Sequence, residues 1–324
     1  MTAKLLDRAF ALEAVRVTEA AAIAAAQQIG RGDEHEADQA AVTAMRQAFN
    51  SLPISGTVVI GEGERDEAPM LYIGEKVGSG GIGVDIALDP LEGTTLTAKA
   101  MPNALAVMAM AEPGTLLNAP DTYMDKIAIG GGYPEGTVDL DWDPADNIRS
   151  LAKAKGVSPR EITACIMDRP RHEKLIAAVR QVGASIHLIT DGDVAGVINT
   201  TDPTTGIDIY LGQGGAPEGV LAAAALRCVG GQMQARLVFK KDDEKLRAEK
   251  IGIKDFNRKY SLMELASGDC VFAATGVTDG SMLQGVHHTG KFITTESVVM
   301  RSATGTVRWI KARHVRSRHL KDAR

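Results

Sequence analysis

Cysteines, aromatic residues and long apolar runs are all scarce in this chain of 324 residues. It has three cysteines, Cys165, Cys228 and Cys270, and their spacing suggests no pairs. This excludes a small disulfide-stabilised secreted domain and predicts a reducing compartment, the cytoplasm. The longest alanine-rich segment, "EAAAIAAAQQIG", falls short of the roughly 20 residues of a membrane-spanning helix. We therefore expect no membrane partner. The first ten residues carry charges where a secretion signal needs an apolar core, so we expect no signal peptide either.

An excess of charge of one sign is also missing. The 36 basic and 41 acidic residues give a net charge of −5. A basic segment covers residues 308–324, but a nucleic-acid-binding surface would need a wider basic face, so no nucleic-acid partner is expected. What the chain does have is glycine, at 34 residues. Glycines in this number serve turns and close backbone approaches, and they favour an α/β enzyme.

The apolar patterns change along the chain. Before residue 150 they predict helices over 11–29 and 37–49 and then strands in "GTVVIGEGE", "GVDIALDPLEGT" and "ALAVMAMAEPG". In the second of these segments we expect the apolar strand to end at Asp89 and "DPLEGT" to form a turn that carries site residues. After residue 150, short strands and helices alternate, which predicts a parallel sheet covered by helices. We therefore expect an α/β fold with an N-terminal domain, residues 1–150, carrying most of the acidic site residues, and a C-terminal domain, residues 151–324.

The glycine-rich segment "GSGGIG" matches the fingerprint of dinucleotide-binding proteins at Gly78, Gly80 and Gly83. That fingerprint must follow a strand and open a helix, so that helix amides can face the pyrophosphate. Here the segment precedes the predicted strand "VDIALD", so the context is inverted. We predict a loop, and a nicotinamide-dependent oxidoreductase remains an alternative supported by this segment alone.

Acidic residues recur where predicted strands and helices meet loops. Any one of them alone would be explained as a cap or a solvated charge. Together they suggest a site, because two like charges about 4 Å apart repel by roughly 1 kcal/mol in water and about 4 kcal/mol near a protein surface. Gathered carboxylates therefore need cations, and oxygen ligands favour Mg²⁺ or Mn²⁺ over zinc. The acids are Asp38, Glu62, Asp89, Glu92 and Glu218.

Two arginines follow a predicted strand in the segment "DRPR". Arg169 and Arg171 flank Pro170, which stiffens their spacing, and guanidinium groups match phosphate oxygens well. An exposed loop with two basic residues is the alternative explanation. An acidic protein needs such local cations to hold an anionic substrate.

Glycine and aspartate residues follow two further strands. The segment "DGD", residues 191–193, either caps the next helix or accepts hydrogen bonds from sugar hydroxyls. Gly214 and Gly215 precede a helix and would let an anion approach backbone amides.

These motifs together resemble a known group. "EAD" before a helix, "IGEGE" after a strand and then "DPLEGT" resemble the lithium-sensitive, metal-dependent sugar phosphatase superfamily, which includes the inositol monophosphatases. The third motif usually has Asp at the position of Glu92. With Glu there, and with "ALAVMAM", "NAPDTYMDK", "DRPRHEKLI", "DGDVA" and "GGAPEGV", the chain closely resembles bacterial class II fructose-1,6-bisphosphatases from about residue 10 to residue 310.

The resemblance implies a fold, a reaction and an assembly. The fold would be the layered αβαβα sandwich of the superfamily, and the protein would form a homo-oligomer, a dimer or a tetramer. The reaction would be hydrolysis of the 1-phosphate of fructose 1,6-bisphosphate in gluconeogenesis. Activity on sedoheptulose 1,7-bisphosphate as well is one alternative, and an inositol-type monophosphatase is another. A non-catalytic sugar-phosphate sensor would keep the arginines but would not need the five carboxylates.

The resemblance also implies roles for individual residues. The metal ligands would be Asp38, Glu62, Asp89, Glu92 and Glu218. The substrate contacts would be Glu92, Gly93, Thr94, Tyr123, Arg169, Pro170, Arg171, Asp191, Gly192, Asp193 and Gly215. Thr94 would help activate the attacking water. Beyond the resemblance, we expect an acid such as Asp33 or Asp85 to pair with Thr94, since Asp85 shares the strand face of Asp89. The chain departs from its relatives at Glu34 and Glu36, where they usually have Lys and Thr, so the role of that Lys has no counterpart here.

Overall fold

A computed structural model describes residues 9–63 and 70–317. The described strands are β1 (Ile54–Ile60), β2 (Lys76–Val77), β3 (Ile82–Glu92), β4 (Leu105–Ala111), β5 (Tyr123–Ile129), β6 (Thr163–Met167), β7 (Ser185–Ile189), β8 (Ile209–Gly215), β9 (Gln232–Val238), β10 (Lys259–Ser261), β11 (Cys270–Gly276), β12 (His287–Thr289), β13 (Phe292–Arg301) and β14 (Thr306–Val315). The described helices are α1 (Ala9–Ala25), α2 (Glu34–Asn50), α3 (Thr94–Ala98), α4 (Pro144–Lys155), α5 (Glu173–Gln181), α6 (Asp193–Ile198), α7 (Ala216–Val229), α8 (Asp242–Lys250) and α9 (Leu262–Leu265).

The chain divides into two compact units. One contains Met1–Leu116 together with Gly268–Arg324, and the other contains Leu117–Ser267. Residue 150, near which we expected the division, lies inside the helix α4 of the second unit. The reason is a long-range pairing: β11 lies beside β4 in the first sheet, so the end of the chain returns to the unit in which the chain began.

The first unit is built on a mixed sheet. Its strand order is β12-β13-β11-β4-β3-β1-β2, and β14 pairs with β13. Every residue of β4 and β11 is buried, as expected for central strands covered on both faces. The helices α1 and α2 contribute their apolar faces to the same core. The predicted helices over 11–29 and 37–49 correspond to these two helices.

The second unit has a six-stranded sheet in the order β10-β9-β5-β8-β6-β7. The parallel sheet predicted after residue 150 is present in part, because β6 pairs in parallel with both β7 and β8. The prediction was wrong for the rest of the sheet, where β5 runs antiparallel between β8 and β9. This strand lies before residue 150, outside the alternating pattern from which the parallel sheet was inferred. Each unit therefore combines one sheet with helices, which confirms the α/β class.

Three smaller expectations also have outcomes. The glycine segment at residues 78–81 forms a turn between β2 and β3 and leads into a strand, as predicted. The three cysteines are free and buried. Within residues 9–63 and 70–317, no helix combines the length and the apolar character that crossing a membrane requires.

Candidate active site

Asp38 and Glu62 form a contacting pair of carboxylates in the first unit. Asp38 lies in the second turn of α2, and Glu62 lies two residues beyond the end of β1. Their side chains hydrogen bond. Burial raises the pKa of Asp38 above its usual value, and the electrostatic interaction with His35 and the bond with Glu62 offset part of this rise. Two carboxylates in contact need a proton or a cation between them, so this pair fits a metal ion.

The start of α2 explains how Asp38 is placed. Asp33 is the N-cap, and its Oδ1 accepts a hydrogen bond of 3.0 Å from the backbone amide of Glu36. Glu34 and Glu36 lie exposed in the first turn, where negative charge is stabilised by the helix dipole. The two departures from the related sequences therefore have a local structural role. Asp33 was also expected to help orient the attacking water. Its Oδ1 is used in the cap hydrogen bond, which leaves Oδ2 for that role.

The segment "DPLEGT" continues the strand instead of ending it. The strand was expected to stop at Asp89, but β3 runs to Glu92, with an irregular register against β4 between these two residues. On a regular strand, residues three apart point to opposite faces. A bulge re-aims side chains and so removes this constraint on Asp89 and Glu92. Asp89 is half-buried and accepts a hydrogen bond of 3.0 Å from the Leu91 amide, and Glu92 is buried.

Gly93 and Thr94 directly follow this strand. Gly93 has a left-handed backbone, with φ of 92°, and caps α3, of which Thr94 is the first residue. A side chain at position 93 would be strained by that φ, and its Cβ would lie 2.8 Å from Leu96 Cδ1. Glycine is therefore required for the tight turn that carries Thr94 away from Glu92.

Asp85 lies away from Thr94. It precedes Asp89 by four residues, about 13 Å along a strand, and it pairs with Ala111 at the other end of β4. It is buried, and its Oδ2 accepts a hydrogen bond of 2.6 Å from the Gly114 amide. These contacts indicate that Asp85 holds the loop after β4. In residues 9–63 and 70–317, no three Asp, Glu, His or Cys side chains are already gathered as metal ligands.

Arg171 is held in place at the end of β6 in the second unit. Its Nε and Nη2 donate to the Gln213 carbonyl at 3.1 and 2.7 Å. The neighbouring His172 is buried; its Nδ1 bonds the Met167 carbonyl at 2.8 Å, and its Nε2 accepts from the Gln213 amide at 2.9 Å. Burial lowers the pKa of His172, which favours the neutral ring that this pattern requires. Sequence reasoning missed His172, because a lone histidine beside two arginines carries no distinguishing pattern.

Arg169 and the "DGD" segment lie together. Arg169 Nη2 is 3.7 Å from Asp191 Oδ1, which also accepts from the Gly192 amide at 3.3 Å. Gly192 has a left-handed backbone, with φ of 77°, and is the N-cap of α6. The helix therefore begins within this segment, as expected, although its N-cap is the glycine and, among the described residues, no side chain makes a capping hydrogen bond. Pro170 begins a single 3₁₀ turn that follows Arg169 and ends at His172.

Asp193 belongs to a buried polar cluster that the sequence did not reveal. Its Oδ2 forms an ion pair with Lys126 and accepts a hydrogen bond of 3.0 Å from the Tyr210 hydroxyl. Lys126 is completely buried and also donates to the Gly215 carbonyl at 2.9 Å. Burial and the Asp193 charge raise the pKa of Tyr210 far above its usual value. Both of these contacts use Asp193 Oδ2. A sugar hydroxyl would therefore donate its hydrogen bond to Oδ1.

Glu218 lies in the first turn of α7, folded back over Gly215. Its Oε2 is enclosed and, within the described residues, has no hydrogen-bond partner. Removal from water and the charge of Asp193 raise the pKa of Glu218, and Lys126 lowers it. An enclosed carboxylate oxygen that lacks a donor fits a cation. This observation supports Glu218 as a metal ligand independently of the acids in the first unit.

Replacing Gly215 with alanine should displace the Glu218 carboxylate. An added Cβ would lie 1.9 Å from Glu218 Oε2, although the backbone, with φ of −64°, would accept alanine. We expect a stability loss of about 1–3 kcal/mol from overpacking, together with weaker stabilisation by Mg²⁺ or Mn²⁺ in thermal unfolding. Gly83→Ala is the control, because its Cβ would meet Pro113 at an ordinary 3.7 Å. Equal metal responses of the two variants would contradict the role of Glu218.

A contacting carboxylate pair, an enclosed carboxylate oxygen and a separate set of cations are typical of metal-dependent phosphatases. Residues 8–314 match the family described as bacterial fructose-1,6-bisphosphatase, glpX-encoded. Fructose-1,6-bisphosphatase 1 class 2 of Escherichia coli strain K12 is 45% identical over 324 aligned positions, covering 95% of this chain and 96% of that protein. The fructose-1,6-bisphosphatases class 2 of Escherichia coli O6:H1 and Shigella flexneri are similar to the same extent.

The chain therefore belongs to the family of bacterial class 2 fructose-1,6-bisphosphatases. It is a metal-dependent phosphatase, a hydrolase of phosphoric esters. The family and the enzyme class predicted from the motifs are thus confirmed. The nicotinamide-dependent alternative is excluded by the family, in agreement with the place of the glycine segment before a strand.

Proposed function

We propose that the chain hydrolyses the 1-phosphate of fructose 1,6-bisphosphate, releasing fructose 6-phosphate and inorganic phosphate for gluconeogenesis. The observation that carries the chemistry is the contact between Asp38 and Glu62, two carboxylates on different elements. The substrate comes from the family and from the names of the relatives. Glu92 supports a bisphosphatase over an inositol-type monophosphatase, which usually has Asp at this position.

The metal ligands in this proposal are all carboxylates. Asp38, Glu62, Asp89 and Glu92 of the first unit would hold Mg²⁺ or Mn²⁺, since oxygen ligands suit these ions. Glu218 is proposed separately, because of its enclosed oxygen. Bound divalent ions would neutralise phosphate charge and lower the pKa of an attacking water.

The remaining residues bind and orient the reactants. Thr94 would accept a hydrogen bond from the attacking water and so aim it at phosphorus, which requires the turn at Gly93. Asp33 has one oxygen outside the cap contact and is the proposed acid partner of Thr94. For Asp85, the contact with Gly114 favours a supporting role in the loop after β4.

The second unit would recognise the substrate. Arg171, seated on the Gln213 carbonyl, and Arg169 would bind phosphate oxygens through their guanidinium groups. The sugar contacts would be Glu92, Gly93, Tyr123, Pro170, Asp191, Gly192, Asp193 and Gly215. No covalent intermediate is needed, because uncatalysed monoester hydrolysis can be accelerated by positioning and charge.

A phosphate-release screen tests the proposal. The purified protein would be assayed with Mg²⁺ or Mn²⁺ on fructose 1,6-bisphosphate, sedoheptulose 1,7-bisphosphate, fructose 1-phosphate and inositol 1-phosphate. We expect the highest kcat/KM for fructose 1,6-bisphosphate. Comparable turnover of the sedoheptulose ester would support the dual bisphosphatase. Turnover of inositol phosphate alone would overturn the assignment, and binding without any turnover would indicate a sensor.

The place and the assembly of the protein are part of the same proposal. The three free, buried cysteines support a reducing compartment, the cytoplasm. The resemblance supports a homo-oligomer, a dimer or a tetramer. Light scattering on the eluting protein would give its mass, and a monomer at assay concentration would contradict this point.

A further inference from the structure

Two cations surround one aromatic ring at an end of the second sheet. Lys240 Nζ lies 3.4 Å from the centroid of the Tyr123 ring, and Arg171 Cζ lies 5.0 Å from the same centroid. The separation of the two cations therefore cannot exceed the sum of these distances. Tyr123 is the first residue of β5 and pairs with Gly215 on β8 and Val238 on β9. Lys240 follows Val238 by two residues, so chain pairing itself brings it to the ring.

In the part of the chain that the structure describes, neither of these two cations forms an ion pair. Among the described residues, no carboxylate oxygen lies within 4.0 Å, the limit for an ion pair, of a side-chain nitrogen of Lys240 or Arg171. Arg169, by contrast, lies 3.7 Å from Asp191. Two neighbouring positive charges repel each other. Acidic residues outnumber basic residues in this chain, which has a net charge of −5. A pair of cations left without acids in such a protein suits an anion with more than one negative charge.

We propose that Lys240, together with Arg171, binds the phosphate group that fructose 1,6-bisphosphate retains in the product. A phosphate monoester has three terminal oxygens and close to two negative charges near neutral pH, so it can accept bonds from an ammonium group and a guanidinium group at once. The Tyr123 ring attracts both the ammonium group and the guanidinium group, and each lies against this ring. Lys240 would then be a residue that selects bisphosphates, and this inference rests on the proposed function.

Lys240→Met is the variant that isolates the charge. Methionine keeps an unbranched apolar side chain against Tyr123 but lacks the ammonium group. The neighbouring Lys241 is the matched control, because it has the same charge, is also exposed and is the N-cap of α8. Lys240→Arg restores a cation on a side chain of similar length. Thermal unfolding midpoints of the three variants would show that each remains folded.

The substrates separate recognition from chemistry. Loss of a charge-assisted hydrogen bond should lower kcat/KM for fructose 1,6-bisphosphate about 10–100-fold in Lys240→Met. For fructose 1-phosphate, which lacks the retained group, we expect a change of less than about two-fold, since the interaction is absent there. Lys241→Met should behave as the unmodified protein on both substrates, and Lys240→Arg should recover most of the loss.

A binding measurement keeps this inference separate from the proposed function. Fructose 6-phosphate would be titrated into each variant by calorimetry, and Lys240→Met should bind it about 10–100-fold more weakly than Lys241→Met. If no bisphosphate is hydrolysed but this difference in binding is seen, the proposed function fails and the role of Lys240 stands. Equal binding by the two variants, no binding by the unmodified protein, or equal losses on both substrates would overturn the role of Lys240.

Discussion

The variant Glu62→Gln should lose about 10²–10³-fold in kcat/KM, a loss typical of removing one group that stabilises transition-state charge. Glutamine has the shape of glutamate but lacks the negative charge that would attract a divalent ion. The same change removes half of the contacting pair formed with Asp38. Without metal, the variant should therefore be at least as stable as the unmodified protein, because a like-charge contact is gone.

Two measurements on Glu62→Gln check this expectation. Thermal unfolding with increasing Mg²⁺ or Mn²⁺ should show a smaller rise in the midpoint than in the unmodified protein, since binding to the native state stabilises it. Phosphate release gives the loss in kcat/KM. The control is Glu36→Gln, which removes an exposed acid from the first turn of α2. Full activity of Glu62→Gln, or equal loss in the control, would contradict a metal site at Asp38 and Glu62.

Lys126→Met should lower the free energy of unfolding by about 3–5 kcal/mol, the loss that follows when one partner of a buried ion pair is removed. Lys126 is completely buried and Asp193 almost so, so methionine would leave the Asp193 carboxylate without its cation. The nearby Glu218 would lose the charge that lowers its pKa. Denaturant unfolding measures the effect.

Companion variants keep this expectation testable if Lys126→Met fails to fold. Tyr210→Phe removes the other bond to Asp193 Oδ2 and should cost about 1–3 kcal/mol. Lys126→Met combined with Asp193→Asn should lose less than the two single variants together, because the unpaired charge is removed. Lys245→Met, at an exposed pair with Asp242, should change stability by less than about 0.5 kcal/mol. A double variant as unstable as the sum of its parts would argue against the buried pair.

Glu62 and Lys126 differ in how visible they are in the sequence. Glu62 follows an apolar run, and its place at the end of β1 could be read directly from that run. Lys126 lies in a strand beside Asp125, a pattern equally typical of an exposed strand. Its burial results from packing of α7 against β5. Asp193 of α6 and Gly215 at the end of the paired strand β8 both reach its ammonium group. Those residues are far from Lys126 in sequence, so no local pattern contains the information.

The segment "DPLEGT" shows the same limit at shorter range. Its composition predicted a turn that carries site residues, and the positive φ of Gly93 confirms the turn at its end. The structure differs in continuing β3 to Glu92, because β4 offers a pairing partner to this residue across an irregular register. A residue with a partner strand remains extended even where its own sequence favours a turn.

By itself, the sequence determined the α/β class, the family, the positions of the two N-terminal helices and the places where carboxylates and arginines follow strands. These properties depend on side-chain periodicity, capping and motif spacing, which act over a few neighbouring residues. The tertiary structure alone decided the return of β11 to the first sheet, the contact of Asp38 with Glu62, the burial of Lys126 and the approach of Lys240 to Tyr123. Each of these joins residues distant in the chain, and such contacts form only when long-range packing compensates the entropy of closing the intervening loop.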